Sequence, residues 1–173
     1  MRSFRCRGNA PAAVAAWAVA SAVCLAVGLA GCSGAPATPD APRTVGQRVH
    51  TWGQGQGAEL ADLQQLAPPA DVVLIADQSA RDRLRTASTI DQTTIAATDL
   101  EANILVLGGY PNCQASSHLE FDRAKRTLTF AVTRDEKVNC VWAPYTVDAF
   151  EVARSDLGGL DPGELTVRRL GAT

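Results

Sequence analysis

The first thirty-two residues constrain this chain more than any other feature. Arg2, Arg5 and Arg7 make a basic start with no acid near them, and residues 12–30 are all small or apolar, dominated by Ala and Val. Ala30 and Gly31 then precede Cys32. A basic opening, an apolar stretch and a small-residue cleavage site form a secretory signal, which is removed rather than folded. The competing interpretation is an uncleaved anchor, since a stretch of this length can just span a bilayer. The stretch ends on a cleavage-type sequence and gives way to a Pro-rich segment, which favours processing.

Leu29-Ala30-Gly31-Cys32 resembles the lipobox of bacterial lipoproteins. The resemblance implies that the Cys32 thiol takes a diacylglyceryl thioether and that the signal is cut just before it. There is no twin Arg, so the general secretion route is expected. Ala-, Arg- and Val-rich usage with only two Lys points to a high-GC, actinobacterial source. Taking residues 1–31 from 173 leaves 142, and taking the three signal arginines from 16 basic residues leaves 13 against 18 acidic, a net of −5. That balance excludes a nucleic-acid binder, which needs a basic excess. It also gives no attraction to anionic lipid. Attachment would rest on the acyl chains, at roughly 0.8 kcal/mol per buried CH₂. One domain is expected at this length, and 46% apolar residues argue against disorder.

Cys6 and Cys24 leave with the signal and Cys32 is acylated, so Cys113 and Cys140 remain. Outside the cytoplasm a leftover pair reads as a disulfide; a reactive thiol or metal pair is the alternative.

Residues 32–57 read as a lipidated tether and linker, and residues 58–173 as a single β-rich domain. The tether SGAPATPDAP lacks apolar content, and Gly53-Gln-Gly55-Gln-Gly57 reads as flexible linker, because no strand precedes it and no Lys follows. Residues 58–66 (AELADLQQL) put Leu60, Leu63 and Leu66 on one helical stripe, and Ser79 to Asp82 resembles a capping box opening a helix over 80–87. Its Arg81, Arg83 and Arg85 read as a solvated face. Strands are expected at 71–76, at 103–107 (stopped by Gly108-Gly109), at 119–121 and 128–132 about a hairpin turn at 122–126, and at 138–142, 146–152 and 165–170. The fold class is mainly β: an antiparallel β-sandwich or partial barrel with one or two short helices.

The ordered features of residues 71 to about 154 are VVLIAD, SARDRLRTA, NILVLGG followed by Cys113, the hairpin LEFDRAKRTLTF, and Pro144-Tyr145 before a strand. They are similar to bacterial secreted domains related to the C-terminal domain of a protease-complex subunit. The resemblance covers about half the chain and implies a small, often lipid-anchored module with a non-catalytic, partner-binding role.

His118, Glu120 and Asp122 are two apart, so a strand aims all three to one side. They could form half a metal site, or a base with its orienting acid. With Leu119 and Phe121 pointing inward, the simpler reading is a solvent face. Ser116, Ser117 and His118 do not form a nucleophile–base pair, because strand neighbours point to opposite sides. Zinc ligation by Cys113, Cys140 and His118 lacks close CxxC pairing. His50 is expected exposed in the linker. Tyr110, Trp142 and Tyr145 flank the two cysteines, so a disulfide could gather three aromatics on one loop cluster, where recognition concentrates. The alternative makes Trp142 core and Tyr145 a corner pin.

The expectation is a lipid-anchored extracytoplasmic module on the outer face of the cell membrane, a non-enzymatic binding or protease-modulating protein with an envelope protein or protease as partner. It implies no cofactor. A small-ligand carrier and a hydrolase-type enzyme using His118 with Glu120 or Asp122 are the rivals.

Overall fold

The computed structural model describes residues 41–87, 90–134 and 140–171. Cys32, the expected signal and residues 33–40 of the expected tether lie outside the described residues. Among the described residues eight strands form two four-stranded sheets, and three short helices cover one of them. The first sheet runs β1 (Arg43–Val45), β5 (Ala115–Asp122), β6 (Thr127–Arg134), β8 (Thr166–Gly171); the second runs β2 (Gln47–Gly53), β7 (Tyr145–Ala153), β4 (Asn103–Pro111), β3 (Val72–Ile75). The helices are α1 (Leu60–Leu66), α2 (Gln78–Ala87) and α3 (Thr93–Ala97). The result is a mainly β sandwich, with one helix more than the sequence suggests.

Both faces of the second sheet are buried, which explains the continuous apolar run of β4. Ile104, Val106 and Tyr110 face the first sheet and pack with Leu119, Phe121, Leu128, Phe130, Phe150 and Val152. Leu105 and Leu107 face the other way, with Val147 and Ala149, against Leu63 and Leu66 of α1, Leu84 of α2 and Ile95 of α3. The α1 stripe therefore docks through Leu63 and Leu66, while Leu60 remains exposed.

Four sequence expectations are corrected. Residues 43–53 are not linker, because β1 and β2 belong to the two sheets, so the domain begins no later than Arg43 rather than at 58. They form one line of chain that switches sheets at Gly46 (φ +74°), where a Cβ would stand 2.8 Å from Val152 Cγ2. Trp52, placed by sequence in the linker, is buried and donates Nε1–H to the Asp91 carbonyl at 2.8 Å. His50 is half-buried against that indole, with ring centroids 4.4 Å apart, instead of exposed.

The second correction is at Gly108-Gly109, which do not stop β4. The strand runs through them to Pro111, with register partners Asp148 and Val147. The third is the strand expected at 138–142. Residues 138 and 139 lie outside the described residues, and 140–144 form a loop.

The fourth is β8, which pairs with β6 in parallel, the one departure from antiparallel pairing among the described strands. The cause is topological. After β6 the chain crosses to the second sheet and runs back as β7, then returns through 3-10 turns at Arg154–Leu157 and Pro162–Glu164 to begin β8 beside the start of β6. Thr166 N–H donates to the Arg126 carbonyl at 2.9 Å there.

Two finer readings also change. The α2 cap is Asp77, whose Oδ1 accepts the Ala80 N–H at 2.7 Å, and not Ser79. Arg81 is no solvated residue; it braces α2 by donating to the carbonyls of Ala96 and Thr98, whereas Arg83 is exposed.

Candidate functional site

Strand β7 carries one charge into the space between the sheets. Its inward positions are Thr146, Asp148, Phe150 and Val152, and the Asp148 side chain is fully buried. Such a carboxylate needs donors, and four neighbouring side chains supply them. Oδ1 accepts from Thr51 Oγ1 at 2.6 Å; Oδ2 accepts from Tyr110 OH at 2.8 Å, Ser117 Oγ at 2.5 Å and Arg48 Nη1 at 3.3 Å. These donors come from β2, β4 and β5, so the group ties both sheets together. The sequence reading missed it. The available signal was an Asp in the middle of a mostly apolar strand (YTVDAFEVA), which demands partners once buried.

The three candidate aromatics do not meet. Tyr110 lies between the sheets, and Tyr145 lies on the opposite face of the second sheet, where its hydroxyl donates to the Ala67 carbonyl at 2.7 Å. Both are buried, so neither lines a loop surface. Burial first, and then the Asp148 carboxylate, hold the Tyr110 phenol well above the usual tyrosine range, and burial pushes Tyr145 up to about 12. These shifts set an alkaline limit on stability. Unfolded tyrosines ionise near 10, while the folded phenols keep their protons to higher pH, so the unfolded state binds fewer protons above pH 10. Their contribution is fully present below pH 10 and is lost as pH rises toward 12. Thermal melts at pH 9, 10 and 11 check this: Tm should fall across the series, and less steeply in Tyr145→Phe. A flat profile contradicts it.

Trp142 alone of the three is on the surface, 68% exposed, beside a fully exposed Val141. Their loop is held at both ends. Cys113 and Cys140 form a disulfide with Cα atoms 6.1 Å apart. Asn112 N–H donates to the Pro144 carbonyl at 2.8 Å, and the next residue, Tyr145, donates its N–H to Gln54 Oε1 at 2.6 Å. The Gly-rich run is therefore structural, since Gln54–Gln56 forms a 3-10 turn that clamps the start of β7. Closing the 27-residue separation contributes up to about 3.5 kcal/mol through the unfolded chain. Cys113→Ser/Cys140→Ser should lower the urea-derived unfolding free energy by about 2–3.5 kcal/mol; a loss under about 0.5 kcal/mol contradicts this.

His118 and Glu120 face outward on β5, Nε2 to Oε1 3.1 Å, both side chains about a third exposed or more. Asp122 stands apart from them and serves the turn, accepting from the Lys125 N–H at 3.0 Å and from Nζ at 2.8 Å, bonds that hold its carboxyl below the usual carboxylate range. Among the described residues no three His, Cys, Asp or Glu are placed to hold a metal ion. Two open clefts, of about 450 and 600 Å³, flank Arg154 at the edge of the sandwich, and His118 lines neither. The Arg154 guanidinium is occupied there, donating to the carbonyls of Leu100 at 3.1 Å and Ala76 at 2.6 Å. Tyr110, Phe121 and Phe130, each fully buried, fill the space between the sheets where a carrier would hold its ligand.

Comparison of the chain with protein-family models, with characterised proteins and with solved structures returns no match.

Proposed function

We propose that the chain is a lipid-anchored, extracytoplasmic, non-enzymatic binding or protease-modulating module, in line with the partner-binding role that its resemblance implies, with the loop at residues 140–144 as its contact surface. One observation carries this reading: Val141 and Trp142 stand in solvent on a loop pinned by a disulfide and backbone hydrogen bonds. Large aromatics on rigid loops lose little conformational entropy on binding, and Trp is the residue most enriched among interface hot spots. The lipid attachment rests on the Leu29-Ala30-Gly31-Cys32 sequence.

Trp142→Ala separates binding from stability. As an exposed residue it should change unfolding free energy by less than about 0.5 kcal/mol. As an interface anchor it should weaken partner binding about thirtyfold, equivalent to roughly 2 kcal/mol. Pull-down from envelope extract with wild type and Trp142→Ala reads this out, and recovery of the same proteins in equal yield removes the proposal. Intact-mass measurement tests the anchor, which requires loss of residues 1–31 and a diacylglyceryl group on Cys32.

A further inference from the structure

We infer that Cys140 is a thiol-exchange site: a small thiol from outside the domain opens the Cys113–Cys140 bond at the Cys140 sulfur, and the mixed disulfide left there frees the 140–144 loop. The exchange itself stands on the setting of the two sulfurs. Its effect on binding rests on the proposal that this loop is the contact surface.

The two cysteines are not equivalent. Cys113 is 4% exposed and sits in the short connection between β4 and β5. Neighbouring residues fix that connection. Asn112 donates its N–H to the Pro144 carbonyl and accepts the Ala115 N–H on Oδ1 at 3.3 Å, while Gln114 takes up φ +50°. Cys140 is exposed, at the start of the loop. A disulfide opens when a thiolate attacks one of its sulfurs, and access helps decide which one. Exposure selects Cys140 as the sulfur attacked and leaves Cys113 as the departing thiolate.

The incoming thiolate forms a bond to Cys140 Sγ as the Cys113–Cys140 bond breaks. The electron pair of the broken bond goes to Cys113 Sγ, and that thiolate takes a proton from water. One disulfide replaces another, so no oxidant or reductant is consumed. The step reverses when the Cys113 thiolate attacks the mixed disulfide, and the fixed connection around Cys113 keeps that thiol in place to do so.

What the bond holds is the loop. Among the described residues no hydrogen bond ties Cys140, Val141, Trp142 or Ala143 to the rest of the domain, and the first one met is at the Pro144 carbonyl. Val141 and Trp142 have little burial to hold them. Beyond Pro144 the chain is secured without the disulfide, by the Tyr145 N–H to Gln54 Oε1 and by the ladders of β7 with β2 and β4. Opening the disulfide therefore releases residues 140–143 and leaves the sandwich paired. A loop freed in this way must be ordered again on binding, which costs affinity.

Peptide mapping of the folded, full-length chain tests the exchange. Free thiols are first blocked with N-ethylmaleimide, 2-mercaptoethanol is then added briefly, and the reaction is stopped with iodoacetamide. The expected product carries the mercaptoethanol adduct on Cys140 and the carbamidomethyl group on Cys113, at least about tenfold over the reverse assignment, and the ratio falls toward one in denaturing urea. Equal adducts on the two cysteines of the folded chain, an excess on Cys113, no adduct on either, or a ratio indifferent to urea each overturn the inference.

Loop release is read in Cys113→Ser loaded with 2-mercaptoethanol at Cys140. Chymotrypsin should cleave after Trp142 at least about fivefold faster than in the disulfide-bonded chain, while cleavage after the buried Phe130 and Phe150 stays slow. Unchanged cleavage after Trp142 overturns the inference, and so does fast cleavage at the buried sites, which would show that the bond holds the sandwich. Pull-down then separates the inference from the proposed function. Trp142-dependent recovery of a partner should fall at least about fivefold for the loaded chain, and an undiminished yield overturns the control of binding by Cys140. Equal recovery by wild type and Trp142→Ala overturns the contact surface instead, and the effect on binding with it, while the mapping result stands.

Discussion

Asp148→Ala should lower the unfolding free energy by about 3–4 kcal/mol, the largest loss expected from any single polar side chain in this protein. The substitution leaves the hydroxyls of Tyr110, Ser117 and Thr51 without their shared acceptor. Each buried, unpaired donor costs about 1–3 kcal/mol, reduced where a hydroxyl can turn to another acceptor. Arg48 contributes little to the loss, because its side chain is half exposed and regains water when the carboxylate goes. Asp148→Asn keeps shape and one acceptor oxygen, so it should cost about 1–2 kcal/mol, and Tyr110→Phe about 1 kcal/mol. Urea unfolding of the three variants reads the order. A loss for Asp148→Ala no greater than that for Tyr110→Phe would show that the group is not held together by its carboxylate.

Gly109→Ala comes next, with an expected loss of about 3 kcal/mol from overpacking. A Cβ at this position would stand 2.5 Å from the Ala67 carbonyl oxygen and closer still to the Tyr145 hydroxyl. Relief requires both the phenol and the Ala67 carbonyl to move, which breaks their 2.7 Å hydrogen bond and loosens α1 from the sheet. The shortest part of the clash is with the Tyr145 side chain, so the double variant Gly109→Ala/Tyr145→Ala should be less destabilised than the sum of its two singles, the contact with the Ala67 carbonyl remaining. Additivity within about 0.5 kcal/mol would contradict this packing account. The neighbouring Gly108 makes the same argument on the opposite face, where a Cβ would meet the Phe130 ring at 2.5 Å.

These glycines show why part of the fold was illegible in sequence. Locally, Gly-Gly after NILVL is a stop signal. In three dimensions the pair lets an aromatic ring approach β4 from each side, and the strand continues to Pro111. Arg43 to Gly53 failed for a related reason. RTV and QRVHTWG bury few residues of their own: Val45 enters the core between the sheets, and Trp52 the core beneath the helices. Neither short segment shows a clean period, because the chain changes sheets at Gly46 and β2 changes register between Arg48 and His50. The hairpin of β5 and β6 was legible, since Leu119, Phe121, Leu128 and Phe130 alternate with polar residues about an obvious turn.

The candidate site divides in the same way. The sequence expectation paired Cys113 with Cys140, and the disulfide is present. Gathering Tyr110, Trp142 and Tyr145 on one surface did not follow. Odd and even positions of paired strands point to opposite faces, so Tyr110, paired with Thr146, and Tyr145, paired with Pro111, are carried to different cores.

Sequence by itself determined what depends on neighbours along the chain: the β-rich class, the alternating hairpin, the Leu63–Leu66 stripe and the pairing of two sulfurs. Tertiary structure alone decided what depends on distant contacts. It turned a supposed linker into two strands, made β8 parallel because β7 crosses away, and sank Asp148 among donors from three other strands. It also left Trp142 as the one candidate aromatic in water. The physical reason is that a period of two tells which residues share a face, while only the packed layers determine whether that face meets a sheet, a helix or solvent.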